Sequence, residues 1–502
     1  METKKEPRQW TIMVYLAGGS NVSDAARESL FRIKKVGSTE NFNLIAQFDT
    51  GSEGTATKRY YLTKLVGALG IEECVSKIKT ESLGNSLAKL LSGPPPENQD
   101  AASKEFELLK SLPVLVGRVP RFLGSVLDRV LITENAKECF GKCLRNPADR
   151  KKLVDDPEWL KTCILDCLLE QDSVPSDKPY QKKTDTGDPE VLQKFIQWGN
   201  DYYKAVYRMV IIWGHGDGFS IAWDATPSND PKSITAALPP KNPLKAGELP
   251  KAFEVDPPVD IVGFNACQMG MIEVYHRLNG KVDYGVASEG YTPTTSWPYD
   301  EILSFLQNNP TLAPEDLASG IVDTYGEFYK GSAVSKEVGL DLSACDIRYT
   351  ETVAYALGDI AKLILGNILD DNEGKLRRAL VGARSDVQEY SETGDYIDLD
   401  HFCQLLQKKC KDEQVKNEIR DAISKSCERV ISLVGNMVLN IKKIGNAAKD
   451  SKGLSIYFPQ GGVPHRYRSL AIRDTDWIEL LRLYPTLDKE NTSKLFKSVG
   501  LA

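Results

Sequence analysis

Five short apolar runs constrain the fold of this chain more than any other feature of its sequence. They are Trp10–Ala17, Phe42–Phe48, Met209–Trp213, Val259–Phe264 and Val282–Ala287. Runs of this length without polar alternation are typical of strands buried on both faces, as in a parallel sheet covered by helices. Asp188, Pro189 and Glu190, followed by spaced apolar residues, predict an amphipathic helix that leads into the third run. The predicted fold class is therefore α/β.

The other segments divide the chain into a core and two mainly helical regions. We assign residues 1–62 and 184–300 to the core. Residues 63–183 carry helical patterns, and because a structureless loop of this length is implausible in a compact domain, we interpret them as a helical insertion. Residues 301–502 are also mostly helical, but the stretch 453–458 is bounded by breakers and predicts a strand that rejoins a sheet.

Charge and composition argue against several classes of partner. The chain has 502 residues and a formal net charge of −7, so we expect no nucleic-acid partner, which would need a concentrated basic surface. The apolar run Trp10–Ala17 is too short to cross a membrane, and we expect no membrane partner. Ten scattered cysteines form no dense disulfide framework, which favours a cytoplasmic location unless a signal peptide has been removed.

Two of the apolar runs lead to residues with catalytic chemistry. Val259–Phe264 leads to Cys267, and Met209–Trp213 leads to His215 and Gly216. If these strands are parallel neighbours, both residues lie at the carboxyl edge of the sheet, where α/β proteins place their sites. Imidazole can take the thiol proton and return it to a leaving amine.

The backbone around these residues has a predicted role as well. The N–H groups of Gly216 and Cys267 can donate to the oxyanion of a tetrahedral intermediate, and a helix that begins at the nucleophile would lower the pKa of its thiol. From these residues alone, a buried structural cysteine and a histidine in an ordinary turn are an equally good interpretation.

Four cysteines of the insertion form a separate pattern. Cys139 with Cys143, and Cys163 with Cys167, are two pairs spaced by four residues, which places each pair on one face of a helix. Facing helices of this kind could offer four thiolates to zinc. Ordinary packing of buried cysteines explains the same spacing and is our preferred interpretation, so we predict no metal.

Seven motifs around the candidate residues resemble, in content and in order, the clostripain-like cysteine peptidases. They are Trp10–Ala17, Gly187–Leu192, Ile212–Gly216, Asn265–Val274, Val286–Glu289, Trp297–Tyr299 and Gly453–Pro459. The resemblance implies a caspase-like, mainly parallel sheet flanked by helices. It also implies an endopeptidase that works through an acyl-enzyme, with Cys267 and His215 as the dyad and Gly216 with Cys267 at the oxyanion.

The resemblance further implies cleavage after arginine or lysine, but the sequence departs from the pattern twice. The family usually has an aspartate two residues before the nucleophile, where this chain has Asn265, and a second acid after Ala-Ser-Glu, where it has Gly290. An amide can hydrogen-bond a guanidinium but lacks the charge of a carboxylate. We predict that Asn265 and Glu289 bind substrate, with Asp217 and Asp300 as other candidate carboxylates, and a neutral preference is the alternative.

Maturation and partners complete the predictions. Family members are often cleaved between the histidine and cysteine strands, so we predict a zymogen, with a solvated linker as the competing interpretation. The candidate processing sites are Lys232, Lys241, Lys245 and Lys251. We expect protein or peptide substrates and an activating protease or regulatory protein as partners. No cofactor is required by the chemistry, and only the resemblance leaves calcium open.

An alternative function comes from the same departures. A caspase-fold scaffold without catalytic activity could bind a protein partner through the insertion, residues 63–183, which is equally a candidate cap or regulatory domain. Asn265 and Gly290 favour this alternative, whereas His215, Gly216 and Cys267 count against it.

Overall fold

A computed structural model describes most of the chain outside the insertion. The described residues are 7–17, 22–49, 57–65, 139, 157–170, 172–174, 184–222, 242–337, 339–391, 393–472 and 475–487. The helices predicted in the first part of the insertion lie outside these residues. Helix Pro157–Glu170, near the end of the insertion, is described and is consistent with that prediction.

The twelve strands of the described residues form one central sheet of eight strands and two small sheets of two strands each. The strands are β1 (Arg8–Ala17), β2 (Phe42–Asp49), β3 (Lys58–Tyr61), β4 (Ala205–Trp213), β5 (Ser220–Ile221), β6 (Leu244–Lys245), β7 (Val259–Asn265), β8 (Val282–Ala287), β9 (Leu340–Asp346), β10 (Tyr396–Asp398), β11 (Val438–Ile444) and β12 (Ser455–Tyr457). The order across the large sheet is β11-β9-β8-β7-β4-β1-β2-β3. Strands β2, β1, β4, β7 and β8 are parallel, and antiparallel strands close both sides. The predicted α/β class with a mainly parallel sheet is confirmed.

Helices cover both faces of this sheet. They are α1 (Ser23–Val36), α2 (Pro157–Glu170), α3 (Pro189–Tyr202), α4 (Leu249–Ala252), α5 (Ile272–Leu278), α6 (Tyr299–Asn308), α7 (Pro314–Tyr329), α8 (Ala333–Glu337), α9 (Thr350–Ile368), α10 (Lys375–Asp386), α11 (Leu399–Asp412), α12 (Asn417–Met437) and α13 (Trp477–Leu487). The predicted start of α3 is confirmed, because Asp188 accepts a hydrogen bond from the Glu190 N–H at 2.8 Å and Pro189 follows it. Among the described residues, no helix has the length and apolarity that a membrane span requires.

Alternation along each strand divides the buried side chains between two cores. Met13 and Tyr15 of β1 belong to the core with α3, α5 and α9 to α13, whereas Ile12 and Val14 belong to the core with α1, α6 and α7. Successive residues of a strand point to opposite faces, so a continuous apolar run is what a sheet covered on both sides requires. The five predicted runs therefore form the central strands.

The C-terminal region contributes more to the sheet than predicted. Strands β9 and β11 extend it beyond β8, so the core does not end at residue 300. Without them, β8 would expose an unpaired edge. The predicted strand near 453–458 forms as β12, but it pairs with β10 in a two-stranded sheet and not with the large one. The prediction that this strand joins a sheet is therefore confirmed, and a separate bridge links Ser455 to Met271, just before α5.

A buried ion pair attaches the end of the insertion to the core. Lys34 of α1 contacts Asp172, and their side chains are 1% and 2% exposed. Asp172 also accepts hydrogen bonds from the N–H and hydroxyl of Thr63, at 3.2 and 2.7 Å. Burial lowers the pKa of Lys34, and the neighbouring Asp172 carboxylate opposes that change.

Substitution of Lys34 should reveal how strongly this attachment depends on charge pairing. Lys34→Met leaves the Asp172 carboxylate buried without its cation, so we expect the free energy of unfolding to fall by about 3 to 5 kcal/mol. The double variant Lys34→Met with Asp172→Asn removes both charges and should recover at least about half of the loss. Urea unfolding followed by circular dichroism measures both, and a loss under about 1 kcal/mol for the single variant would contradict the assignment.

Candidate active site

Strands β4 and β7 bring the two candidate catalytic residues to one edge of the sheet. They are parallel neighbours, and Trp213 of β4 lies opposite Asn265 of β7. His215 and Cys267 each follow these paired residues by two positions, so both turns leave the carboxyl edge at the same level. The Gly214 N–H also donates to the Asn265 carbonyl across the strands, at 3.3 Å. The fold thus supplies a proximity that local sequence could not.

Gly216 lies directly against the backbone of Cys267. A Cβ atom at position 216 would stand 2.4 Å from the carbonyl oxygen of Cys267 and 3.1 Å from its amide nitrogen. The first of these separations is too short for any side chain, so the approach of the two turns requires glycine. The backbone after His215 and the backbone of Cys267 are therefore in contact.

Hydrogen bonds after Gly216 determine where its own N–H points. Gly216 and Ile221 form an antiparallel bridge. The bonds of this bridge come from the flanking residues, since the N–H of Ala222 donates to the carbonyl of His215 at 3.0 Å and that of Asp217 donates to Ser220 at 3.1 Å. In this type of bridge the paired residue directs its own N–H away from its partner. The Gly216 N–H therefore points away from Ile221.

The Cys267 thiol is half-buried and lies against Thr292. The Thr292 N–H donates to the Cys267 Sγ at 3.4 Å, and Sγ lies 3.8 Å from the Thr292 carbonyl oxygen. Burial raises the pKa of Cys267, and the Thr292 N–H opposes the rise. The expected effect of a helix N-terminus is wrong, because α5 begins only at Ile272 and a helix dipole acts over its first turn.

The pKa of His215 favours the neutral form of its imidazole. The residue is half-buried, and burial lowers its pKa, so the imidazole is neutral at neutral pH. Because burial raises the pKa of Cys267 and lowers that of His215, a neutral thiol and a neutral imidazole are favoured over a preformed ion pair. Such a pair can transfer the thiol proton as the sulfur attacks a substrate.

Asn265 takes part in a buried hydrogen-bond network. Its Nδ2 donates to the Ser296 Oγ at 2.5 Å and to the Tyr299 hydroxyl at 2.8 Å. The same Ser296 oxygen accepts from the Trp213 Nε1 at 2.9 Å. The residue itself is only 3% exposed. Only a small part of the Asn265 side chain is therefore accessible from outside the protein.

The three candidate carboxylates all have partners in the structure. Asp217 pairs with Arg466 at 3.1 Å, and Asp300 pairs with Lys35 at 3.1 Å. Glu289 is fully buried, and its Oε2 accepts from the Gly453 N–H at 2.8 Å. The predicted contact of Glu289 with substrate is incompatible with this placement.

Asp341 is a residue of this region that the sequence analysis missed. Its carboxylate accepts from the N–H of Glu289 at 2.7 Å and from that of Gly290 at 3.0 Å. A Cβ atom at position 290 would stand 3.1 Å from the Asp341 Oδ1. The Asp341 carboxylate thus lies directly beside the position that a side chain at residue 290 would occupy. The only signal in the sequence is an aspartate within the apolar run Leu340–Cys345.

Three of the four cysteines considered as zinc ligands lie within the described residues. The Sγ atoms of Cys139 and Cys167 are in contact, 2.6 Å apart. Cys163 is buried on α2, and Cys143 lies outside the described residues. Within the described ranges, no cluster of three or more histidine, cysteine or acidic residues could hold a metal ion.

Two of the four candidate processing sites are described. Lys245 lies in β6 and pairs with Glu248 at 3.1 Å, and Lys251 lies in α4 and pairs with Glu190 at 2.8 Å. Both side chains are exposed, but the backbone of each belongs to regular structure, which proteases cut poorly. Lys232 and Lys241 lie outside the described residues.

Comparisons with known proteins agree with this architecture. A model of the clostripain family, peptidase family C11, matches residues 166–479. Clostripain of Hathewaya histolytica is 26% identical over 392 residues, which cover 70% of this chain and 68% of clostripain.

Solved structures show the same fold. A secreted C11 cysteine protease from Bacteroides thetaiotaomicron, in complex with an irreversible peptide inhibitor, has a TM-score of 0.50 and 15% identity, covering 94% of this chain and 99% of its own. An inactive zymogen C11 protease from Parabacteroides distasonis has a TM-score of 0.51 and 15% identity. The match covers 93% of this chain and 99% of the zymogen. At these identities the likeness concerns the fold alone.

Buried carboxyl groups near the site should make stability depend on pH. Burial raises the pKa of Glu273 to about 7, of Asp341 to about 6 and of Asp398 to about 7. These groups bind protons more tightly in the folded than in the unfolded state, where carboxyl pKa values are near 4. Their contribution to stability is therefore present at low pH and lost as pH rises through 6 and 7.

We expect the free energy of unfolding to fall by about 3 to 6 kcal/mol between pH 5 and pH 8. Urea unfolding at four pH values in this range measures the change. Glu273→Gln replaces the protonated group by a neutral amide of the same shape and should remove about a third of the slope. Stability that is constant or increases over this range would show that these carboxyls titrate normally.

Proposed function

This chain belongs to the clostripain family of cysteine peptidases, and on that premise we propose that Cys267 and His215 are its catalytic dyad. The observation that carries the proposal is the register of β4 and β7, which places both residues two positions beyond a facing pair of residues. The reaction is hydrolysis of a peptide bond within a protein or peptide chain, through an acyl-enzyme on Cys267.

The protonation states define the first step. The neutral imidazole of His215 takes the proton from the Cys267 thiol while the sulfur attacks the carbonyl carbon of the substrate. The imidazolium then gives this proton to the leaving amine as the carbon–nitrogen bond breaks. Water, deprotonated by the same imidazole, attacks the thioester, and release of the acid returns the thiol and the neutral base.

The oxyanion of each tetrahedral intermediate needs donors in place before the reaction. Gly216 and Cys267 offer their backbone N–H groups for this purpose. The contact between these two backbones and the direction of the Gly216 N–H, away from Ile221, support this assignment. A side chain at position 216 would separate the two donors.

The residue before the scissile bond would meet an uncharged environment near Asn265. We propose that arginine and lysine are accepted, as the family resemblance implies, but with weak discrimination against neutral hydrogen-bond donors such as glutamine. The partners found for Asp217, Asp300 and Glu289 support this, since each carboxylate is already engaged. A guanidinium would therefore bind through hydrogen bonds without a dedicated counter-charge.

Zymogen processing, partners and compartment belong to the same proposal. The regular structure around Lys245 and Lys251 favours Lys232 or Lys241 as the processing position. An activating protease would then be a partner. The cytoplasmic location rests on the scattered cysteines, whereas the relative from B. thetaiotaomicron is described as secreted.

Catalytic dependence on the dyad can be measured with a mixed peptide library read by mass spectrometry. We expect Cys267→Ala and His215→Ala to lower cleavage by at least about 10³-fold, because each removes the nucleophile or its base. Cys410→Ala, which changes a buried cysteine of the C-terminal helices, should retain activity. Parallel samples with a chelator test whether cleavage requires calcium. The chemistry of the Cys267–His215 dyad predicts that the chelator does not change the cleavage rate.

The same samples show whether processing accompanies activity. Intact masses should reveal cleavage between residues 222 and 242 in active wild-type protein. A wild type that hydrolyses peptides as a single chain would make processing unnecessary. Absence of Cys267-dependent cleavage, also after limited proteolysis of the insertion, would favour the catalytically silent scaffold.

The specificity proposal has its own variant. Asn265→Asp keeps the shape of the side chain, and the hydroxyls of Ser296 and Tyr299 can donate to a carboxylate as readily as they accept from an amide. We expect kcat/KM for arginine or lysine relative to glutamine to rise by at least about tenfold. Matched fluorogenic peptides that differ only in that residue measure the ratio, and an unchanged ratio would place Asn265 outside the specificity pocket.

A further inference from the structure

The segment from Ser288 to Thr292 forms the wall behind the nucleophile. Besides the bond from the Thr292 N–H to the Cys267 Sγ, the Thr292 hydroxyl donates to the carbonyl of Ala266 at 3.0 Å. The Gln268 N–H donates to the Gly290 carbonyl at 2.8 Å. The position of the thiol and of its two chain neighbours therefore depends on where this segment lies.

Asp341 holds this wall from the neighbouring strand β9. One carboxylate oxygen accepts from the Glu289 N–H and the other from the Gly290 N–H, at 2.7 and 3.0 Å. The backbone carbonyl of Asp341 accepts from the Ser288 hydroxyl at 2.7 Å. Three successive residues of the wall are thus bonded to one residue of β9, in a fully buried environment.

Glu289 and Asp398 connect the wall to the C-terminal region. The Glu289 carboxyl accepts from the Gly453 N–H at 2.8 Å and is hydrogen-bonded to Asp398. Asp398 in turn accepts from the His401 N–H at 2.7 Å and from the Lys452 N–H at 2.5 Å. Burial raises the pKa of both carboxyls, and the nearby Asp398 and Asp341 carboxylates raise that of Glu289 further.

Glycine at position 290 leaves room for this arrangement. A Cβ there would meet the Asp341 Oδ1 at 3.1 Å and the Tyr390 ring at 3.3 Å. Tyr390 also belongs to the network, since its carbonyl accepts from the Gln268 side chain at 2.7 Å. The absence of a side chain at Gly290 leaves the space that the Asp341 carboxylate uses to bind the wall.

We propose that Asp341 is a positioning residue for the nucleophile: by fixing the backbone from Ser288 to Gly290, it places the Thr292 N–H against Cys267. The proposal rests on the proposed function, because it assigns Asp341 a part in the catalytic reaction without contact with substrate. It also makes β9, outside the predicted core, part of the machinery that orients the active site.

Asp341→Asn in the full-length protein tests the proposal directly. An amide offers one oxygen where the carboxylate offers two, so one of the two wall N–H groups loses its acceptor. We expect kcat to fall roughly 10- to 100-fold while KM changes less than about threefold, the pattern of a misplaced reacting group. The pH midpoint for alkylation of Cys267 by iodoacetamide should rise by about half a unit or more, because the thiolate loses a donor.

Alkylation also separates this proposal from the proposed function. It is read as modification of the Cys267 peptide by mass spectrometry and needs no peptidase activity. If the wild type cleaves nothing, the proposed function fails, while the alkylation profile still tests the placement of the thiol. The proposal would be overturned by a folded Asp341→Asn protein whose kcat stays within about twofold of wild type and whose pH midpoint for alkylation of Cys267 does not rise.

Asp346→Asn provides a matched control on the same strand. Asp346 is also buried, but it caps the short helix Ile347–Tyr349 and pairs with Arg348 at 2.6 Å, away from the wall. This variant should lower stability without a change in the alkylation midpoint. An equal change of midpoint in both variants would mean general loosening of β9 and would also overturn the proposal.

Thr292→Val carries the test if Asp341→Asn does not fold. Thr292 is half-buried, and the substitution removes the hydrogen bonds of its hydroxyl to the Ala266 carbonyl at 3.0 Å and to the Ser288 hydroxyl at 3.4 Å. We expect a lower kcat and a higher alkylation midpoint, with Thr292→Ser restoring both. An unchanged Thr292→Val protein would show that the wall does not position the nucleophile.

Discussion

The parallel pairing of β4 with β7 is the constraint on which the rest of the site depends. Trp213 opposite Asn265 sets the level at which both strands end. The two turns that follow then meet, and the lack of a side chain at Gly216 lets them approach to contact distance. A shift of register by one residue would turn the side chains of either strand to the opposite core, so the apolar faces fix the pairing as firmly as the hydrogen bonds do. The geometry of the proposed site is in this way a consequence of core packing.

Burial determines the electrostatics of the site. It lowers the pKa of His215 and raises that of Cys267, which gives a base and a thiol, not an ion pair. Behind the thiol, burial also raises the pKa of the carboxyls of Glu289 and Asp398. A higher pKa favours the uncharged form of these acids in an interior where several charges would be costly. Burial therefore shifts the pKa of the proposed reactive groups, His215 and Cys267, as well as that of the carboxyls behind them.

The central strands, and the placement of His215 and Cys267 at one edge of the sheet, could be predicted from the sequence, because buried strands and strand ends have local signatures. The contributions of the C-terminal region could not. Asp341 is separated from Glu289 by 52 residues along the chain, and Gly453 by 164, so only the folded topology brings them together. The family resemblance makes Glu289 a candidate to replace the expected acids of the pocket, but β9 and the Gly453 backbone bury it. The thiol was expected at a helix N-terminus, whereas the turn after Cys267 delays the helix until Ile272.

A crystal structure of the protein after reaction with a peptidyl chloromethyl ketone tests the central claim most directly. The claim is that the edge formed by β4 and β7 holds the nucleophile, the base and the oxyanion donors together. We predict a covalent bond to the Cys267 Sγ, with the oxygen derived from the ketone within about 3 Å of the backbone nitrogens of both Gly216 and Cys267. Modification of another cysteine, or an oxygen directed away from both nitrogens, would contradict this account of the site.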